Sequence, residues 1–340
     1  MTTPAEMVGL VPHLCGFVPT ESIVVVSLRG PRKQVGLTVR FDLDAWSGLD
    51  VVAADVAERM SMDSARETLV VVYSESPGDL PREDLVEALD DALTERAIAV
   101  QDALLVRSGR WHSYRCRNLR CCPAEGTRLE DAPPSAALTL VAANGAFEGR
   151  VVQRDRDELL VTLAPPRFLV AEAARQRLDR SRGRWERDVA DRGPAAVGAA
   201  ARVAWRRAVD SRRASGVDLD PEEAADLVVS LLDIAVRDAV LCWAADDADE
   251  LLAVLYGLAA TTVAPYDAAV CTLLAICSWV RGDGAVANVA LDRALAGDPS
   301  YNLALLVRTA LDGQVPPATV RQWLRGEAPG RKPKRPTSRR

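Results

Sequence analysis

The chain is poor in the side chains that carry most enzyme chemistry. Its 340 residues include only two histidines, His13 and His112, and three lysines, Lys33, Lys332 and Lys334. Between Lys33 and Lys332 no amine is present to form a Schiff base, and a histidine triad would need one of the two imidazoles. The motifs G-x-x-x-x-G-K-[ST], G-x-G-x-x-G and H-E-x-x-H are all absent, which removes the motif-built phosphate cradle, the dinucleotide fingerprint and the zinc-protease helix. Long apolar runs are missing as well. The most apolar stretches, Leu251–Ala264 and Ala268–Val280, fall short of the roughly 18–20 residues that span a bilayer. No basic segment followed by an apolar one opens the chain, so the expectation is a cytoplasmic protein with no membrane partner. In that compartment seven cysteines do not imply a disulfide framework.

Arginine supplies nearly all of the 42 basic residues. Together with abundant Ala, Val and Asp, this bias reports a GC-rich coding sequence rather than a function. The net charge of −6 conceals an asymmetry. Residues 325–340 hold seven basic side chains (Arg325, Arg331, Lys332, Lys334, Arg335, Arg339, Arg340) against one acid, Glu327, so the remaining body is the more acidic. Such a body is not a nucleic-acid-binding domain by composition. Nucleic acid is expected to associate only through the basic tail, 327–340, which reads as a disordered, solvated end.

The first half alternates strand and helix patterns. Ser22–Arg29 and Val35–Phe41 read as a hairpin across a Gly-Pro turn, and Leu49–Met62 has helical spacing. Thr68–Tyr73 is a continuous apolar run of the kind buried on both faces of a sheet. Pro81 marks a helix start, with Leu85, Leu89 and Leu93 following at i, i+4 and i+8. Ala99–Val106 and Arg110–Tyr114 flank Ser108-Gly109 as strands. This order predicts an α/β domain with a mixed sheet over 1–165. Ser135, and Asp155 with Glu158, are expected to cap short helices in the connector.

From Arg167 onward every segment reads as helix, and Asp220-Pro221-Glu222-Glu223 is a strong start signal. The expectation is an all-α domain over 166–326. Within it, 267–311 matches part of the 34-residue tetratricopeptide pattern. With Pro299 as the terminal proline, Leu274, Ala275, Ala287, Leu291 and Ala294 fall on the leucine, small and aromatic places, while Cys271 and Ser278 occupy those of a Trp and a Tyr. A TPR-like hairpin turning at Gly282-Asp283-Gly284 is predicted. One repeat cannot form a solenoid, and an ordinary helical hairpin fits as well.

Chemistry concentrates in one loop, 111–126, with three of the seven cysteines and His112. Cys116, Cys121 and Cys122 have the spacing C-x4-C-C, which is not the usual C-x2-C knuckle. With His112 they are the candidate metal ligands, zinc being the ion considered. A thiol switch between Cys116 and Cys121 is an alternative, with Arg115, Arg117 and Arg120 placed to stabilise a thiolate. The blander reading is a structural loop in which Trp111, Tyr114, Pro123 and Gly126 pack and turn the chain. Cys242, Cys271 and Cys277 read as small core residues on helices. Gly16-Phe17-Val18-Pro19 could shape a pocket edge or simply a rigid lead-in turn. Arg40 and Asp42 share a face at a strand end, and Arg202–Arg213 reads as a solvated basic helix face.

Three segments carry a family resemblance: Gly16-Phe17-Val18-Pro19-Thr20-Glu21-Ser22, Trp111 to Gly126, and Arg281 to Tyr301. In that order they are similar to the DUF4192 family, a largely actinobacterial group without an established function. The resemblance implies a shared fold and assigns no catalytic residue. It also implies that the place of His112 varies, which weighs against an essential ligand there. The sequence leans away from an enzyme. It favours a protein-interaction or regulatory role with the helical domain as docking surface. The alternative is an enzyme or thiol/metal sensor centred on the cysteine loop, and the third reading is nucleic-acid association through the tail.

Overall fold

The computed structural model describes residues 3–44, 48–131, 135–147, 152–215 and 219–326. The contacts divide the chain into two units, Met1–Glu158 and Leu159–Arg340. The basic tail expected over 327–340 lies outside the described residues.

The first unit is built on a six-stranded mixed sheet in the order β2-β1-β3-β4-β5-β6. β1 (Ser22–Arg29) pairs antiparallel with β2 (Gln34–Asp42) and with β3 (Ala65–Tyr73), while β3 and β4 (Ala99–Arg107) are parallel. β5 (Arg110–Ser113) and β6 (Thr127–Arg128) extend the edge as antiparallel strands. β2, β3 and β4 therefore point one way. Helix α2 (Leu49–Met62) connects β2 to β3 across β1, and α3 (Glu83–Thr94) connects β3 to β4. Both crossovers step in the same direction, so the right-handed rule puts both helices on one face. They share a core there with alternate sheet residues: Ile23, Val25, Val70, Val72, Ala103 and Leu105 meet Val56, Met60, Leu85, Leu89 and Leu93. A register shift in β4 keeps both Val100 and Ala103 on this face.

The opposite face, presented by Val24, Val26, Val71, Leu104 and Trp111, is served by a helix that the strand-helix reading did not include. This is α1 (Pro4–Cys15), which packs on β2, β4 and α4 (Ala136–Phe147). Its start was legible in the sequence: Thr3 at N-cap and Glu6 at N3 form a reciprocal capping box, with proline at N1. It buries Met7, Val8, Leu10, Val11 and Cys15. Helices on both faces explain why β1 is buried along almost its whole length. Pro81 does not open α3 as expected. The N-cap is Arg82, in a left-handed conformation, and the Pro81 carbonyl instead accepts the Tyr114 hydroxyl at 2.5 Å. Ser135 caps α4 through the Leu138 amide, and Asp155 caps α5 (Arg156–Thr162) through the Glu158 amide.

The second unit is helical among its described residues: α6 (Phe168–Arg192), α7 (Pro194–Ser215), α8 (Pro221–Ser230), α9 (Ile234–Trp243), α10 (Ala248–Thr261), α11 (Asp267–Val280), α12 (Gly284–Gly297), α13 (Asn302–Asp312) and α14 (Pro317–Leu324). Asp220 accepts from the Glu222 and Glu223 amides and starts α8 as its sequence predicts. Every residue of α11 is buried, which makes it the central helix of the unit. It pairs with α12, and Leu274, Ala275, Ala287, Leu291 and Ala294 on the two helices are each no more than 1% exposed. Trp205 of α7 is fully buried and donates its indole N–H to the Ser230 hydroxyl at 3.0 Å, so the arginine-rich stretch has one core side as well as a solvated one. No helix among the described residues is long and apolar enough to cross a membrane.

Candidate functional site

The cysteine loop leaves the sheet at the end of β5. Successive β5 side chains alternate, so Trp111 and Ser113 are buried on one face while His112 and then Tyr114 project to the other. Ser113 anchors the departure: its hydroxyl accepts the Arg115 and Cys116 amides at 3.2 and 3.0 Å. The chain then doubles back. The Cys121 and Cys122 amides both donate to the Asn118 carbonyl, at 3.1 and 2.9 Å, and the Asn118 side chain accepts the Arg120 amide. This tight turn lets two adjacent cysteines aim at a third. The Sγ atoms of Cys116, Cys121 and Cys122 all lie within 4.8 Å of one another, and those of Cys116 and Cys121 are 3.4 Å apart.

The three thiols differ electrostatically. The Asn118 amide and the neighbouring thiols favour the Cys116 thiolate and hold its pKa below the ordinary thiol value. Burial pushes Cys122 up to about 12. Two of the three arginines expected to favour a thiolate are engaged elsewhere: Arg115 pairs with Asp90 at 2.5 Å and Arg117 with Glu83 at 2.6 Å, both on α3. The thiolate is thus favoured by a backbone N–H rather than by guanidinium charge.

Among the described residues the metal-capable group is these three cysteines, and His112 lies outside it. Its imidazole sits over Gly126, close enough that a Cβ there would meet Nε2 at 2.5 Å. Burial first, then Arg107 and Arg110, lower its pKa. Gly126 has φ +76, a conformation glycine adopts without strain. Its amide donates to the Pro123 carbonyl at 2.9 Å, and its own carbonyl accepts Arg110 at 2.8 Å. Trp111 and Tyr114 are 8% and 7% exposed.

The other sequence candidates disperse. Cys271 and Cys277 are buried core thiols, with pKa values raised by burial. Cys242 corrects its expectation: it is exposed on α9, on the side turned away from Val236 and Val240. Arg40 and Asp42 pair with each other at 2.5 Å, and the Arg40 guanidinium lies 5.5 Å from the Phe17 ring. The lead-in Gly16–Ser22 does border a cavity. Val18, Pro19, Thr20 and Glu21 form one wall of a cleft at the carboxyl ends of β3 and β4, and α1 and α4 close another. Sequence reasoning missed the acidic side of that cleft, because Glu6, Glu21 and Glu75 are far apart along the chain.

No curated protein and no solved structure matches this chain. The family model described as "Domain of unknown function (DUF4192)" matches residues 4–318, from the first helix of the sheet unit into the last helix of the helical one. One family signature thus covers most of both units and the cysteine loop, and the chain belongs to the DUF4192 family.

Proposed function

We propose that this protein is a regulatory protein that senses a thiophilic metal ion of the zinc class through Cys116, Cys121 and Cys122. The observation carrying this reading is the convergence of three Sγ atoms within 4.8 Å at a half-exposed turn. Zn–S bonds of about 2.3 Å place ligand sulfurs about 3.8 Å apart around a tetrahedron, so little rearrangement is needed. Three protein ligands leave a fourth position for water or an exchangeable group, which suits sensing better than a closed structural site. Cys116, whose thiolate is favoured, with Cys121 and Cys122 would hold the ion, and binding would displace the protons of the remaining thiols.

The test is elemental analysis of the full chain purified under reducing conditions. About one zinc per chain, lost in Cys116→Ser and retained in His112→Ala, is the expected result. A second reading, an oxidative switch, is favoured by the 3.4 Å Cys116–Cys121 contact. Metal-free protein that forms a dithiothreitol-reversible Cys116–Cys121 bond on oxidation replaces the metal reading with that one. Protein docking on the helical unit is a further reading, supported by the exposed Leu232 and Ile234 at the α8–α9 turn.

A further inference from the structure

The cleft at the carboxyl ends of β3 and β4 encloses about 590 Å³, within the range of small-molecule sites. Its position is itself informative, since ligands of α/β sheets gather outside the carboxyl ends of parallel strands. Most of its wall is apolar, from Val8 and Pro12 of α1, Leu138 of α4 and Val106 of β4. Among the described residues, the charged groups that line it are Glu6, Glu21 and Glu75, with no Lys, Arg or His.

The hydrogen bonds that hold Glu21 and Glu75 come from neutral donors. Glu21 accepts the Ser74 hydroxyl at 3.0 Å and the Glu75 amide at 2.7 Å. Glu75 accepts the Ser108 amide and hydroxyl, each at 2.7 Å, and these bonds lower its pKa. Glu6 accepts the Thr3 amide at 3.3 Å and the Ser135 hydroxyl at 2.7 Å. Arg107 is close enough to Glu75 to act on it, but its guanidinium is turned to the carbonyls of Ser74 and Gly78 and does not line the cleft.

One further observation points to a ligand. Tyr73, 5% exposed and part of the lining, has a buried phenol oxygen without a hydrogen-bond partner among the described residues. A phenol oxygen can accept from an N–H donor.

We propose that this cleft binds a small organic cation, an apolar body carrying a primary ammonium, with the ammonium at the Glu21–Glu75 side and the body against α1 and α4. The site is separate from the cysteine loop and does not depend on the metal reading.

Calorimetric titration of the full chain with three matched probes tests it: 2-phenylethylammonium, neutral 2-phenylethanol and anionic phenylacetate. The ammonium is expected to bind saturably in the range of about 1 mM or tighter. It should exceed the alcohol by about tenfold or more, with the carboxylate weakest. Glu75→Gln should remove most of that preference. Thr20→Trp, at an exposed position on the rim, should block binding while the circular dichroism spectrum stays native. Equal or tighter binding of the alcohol, tighter binding of the carboxylate, undiminished binding in a folded Thr20→Trp variant, or no saturable binding of any probe would each overturn the proposal. Should Thr20→Trp fail to fold, the three-probe ranking and Glu75→Gln still decide.

Discussion

Asp267 and Arg293 are buried together in the helical unit, with 4% and 8% of their side chains exposed and Arg293 Nε 3.2 Å from Asp267 Oδ2. Arg293 also donates to the carbonyls of Leu163 at 2.8 Å and Thr262 at 2.7 Å, so one guanidinium ties three segments of the unit together. Burial pushes the Asp267 carboxyl up, and Arg293 only partly draws it back.

Removing one partner of such a pair leaves an uncompensated charge. Arg293→Met is expected to cost about 3–5 kcal/mol, and adding Asp267→Leu should recover most of the loss. Urea unfolding of the single and double variants reads this directly. Equal stability of Arg293→Met and the natural chain would show that the pair carries no weight.

Thiol reactivity should rank with environment. Iodoacetamide is expected to modify Cys116 at a lower pH than an ordinary thiol, because its thiolate is favoured, and to spare Cys122, held up to about 12. Cys271 and Cys277 should react only on unfolding, since both are buried. Peptide mapping after timed alkylation at several pH values checks the order. Early labelling of Cys122 would contradict it.

Gly126→Ala should destabilise the sheet unit by about 1–3 kcal/mol, through its left-handed backbone and the clash with His112. Adding His112→Ala removes the clash and leaves the backbone cost, so the double variant should be more stable than Gly126→Ala alone. A strictly additive result in thermal unfolding would mean that the imidazole is not seated where the geometry puts it.

The helical unit should fold by itself. The fragment from Leu159 to Gly326, expressed alone, is expected to give a helical circular dichroism spectrum and a cooperative melt, because α11 is already surrounded by its own neighbours. An unfolded fragment under mild conditions would make the two units interdependent.

Deleting Gly330–Arg340 should leave the unfolding midpoint unchanged, since that segment has no apolar side chain to bury. If the full chain retains DNA at low salt, that retention should fall steeply with added salt and vanish with the deletion. Retention by the shortened chain would place a nucleic-acid surface on the acidic body.

Local pattern alone located most strands and helices. The β-branched runs at Ser22–Arg29 and Thr68–Tyr73, the i, i+4, i+8 leucines of α3 and the Asp220 cap express preferences held within a few residues. The cysteine-rich composition of 111–126 was equally plain. What the sequence could not determine were distances between groups remote along the chain. Whether adjacent Cys121 and Cys122 both reach Cys116 depends on the Asn118 turn, and whether His112 joins them depends on strand alternation and on Gly126. Likewise, Glu6, Glu21 and Glu75 become neighbours only because β1 lies beside β3 and α1 folds back over the sheet. Secondary structure follows from short-range sterics and periodicity, whereas a site requires the long-range pairing that only the packed sheet supplies.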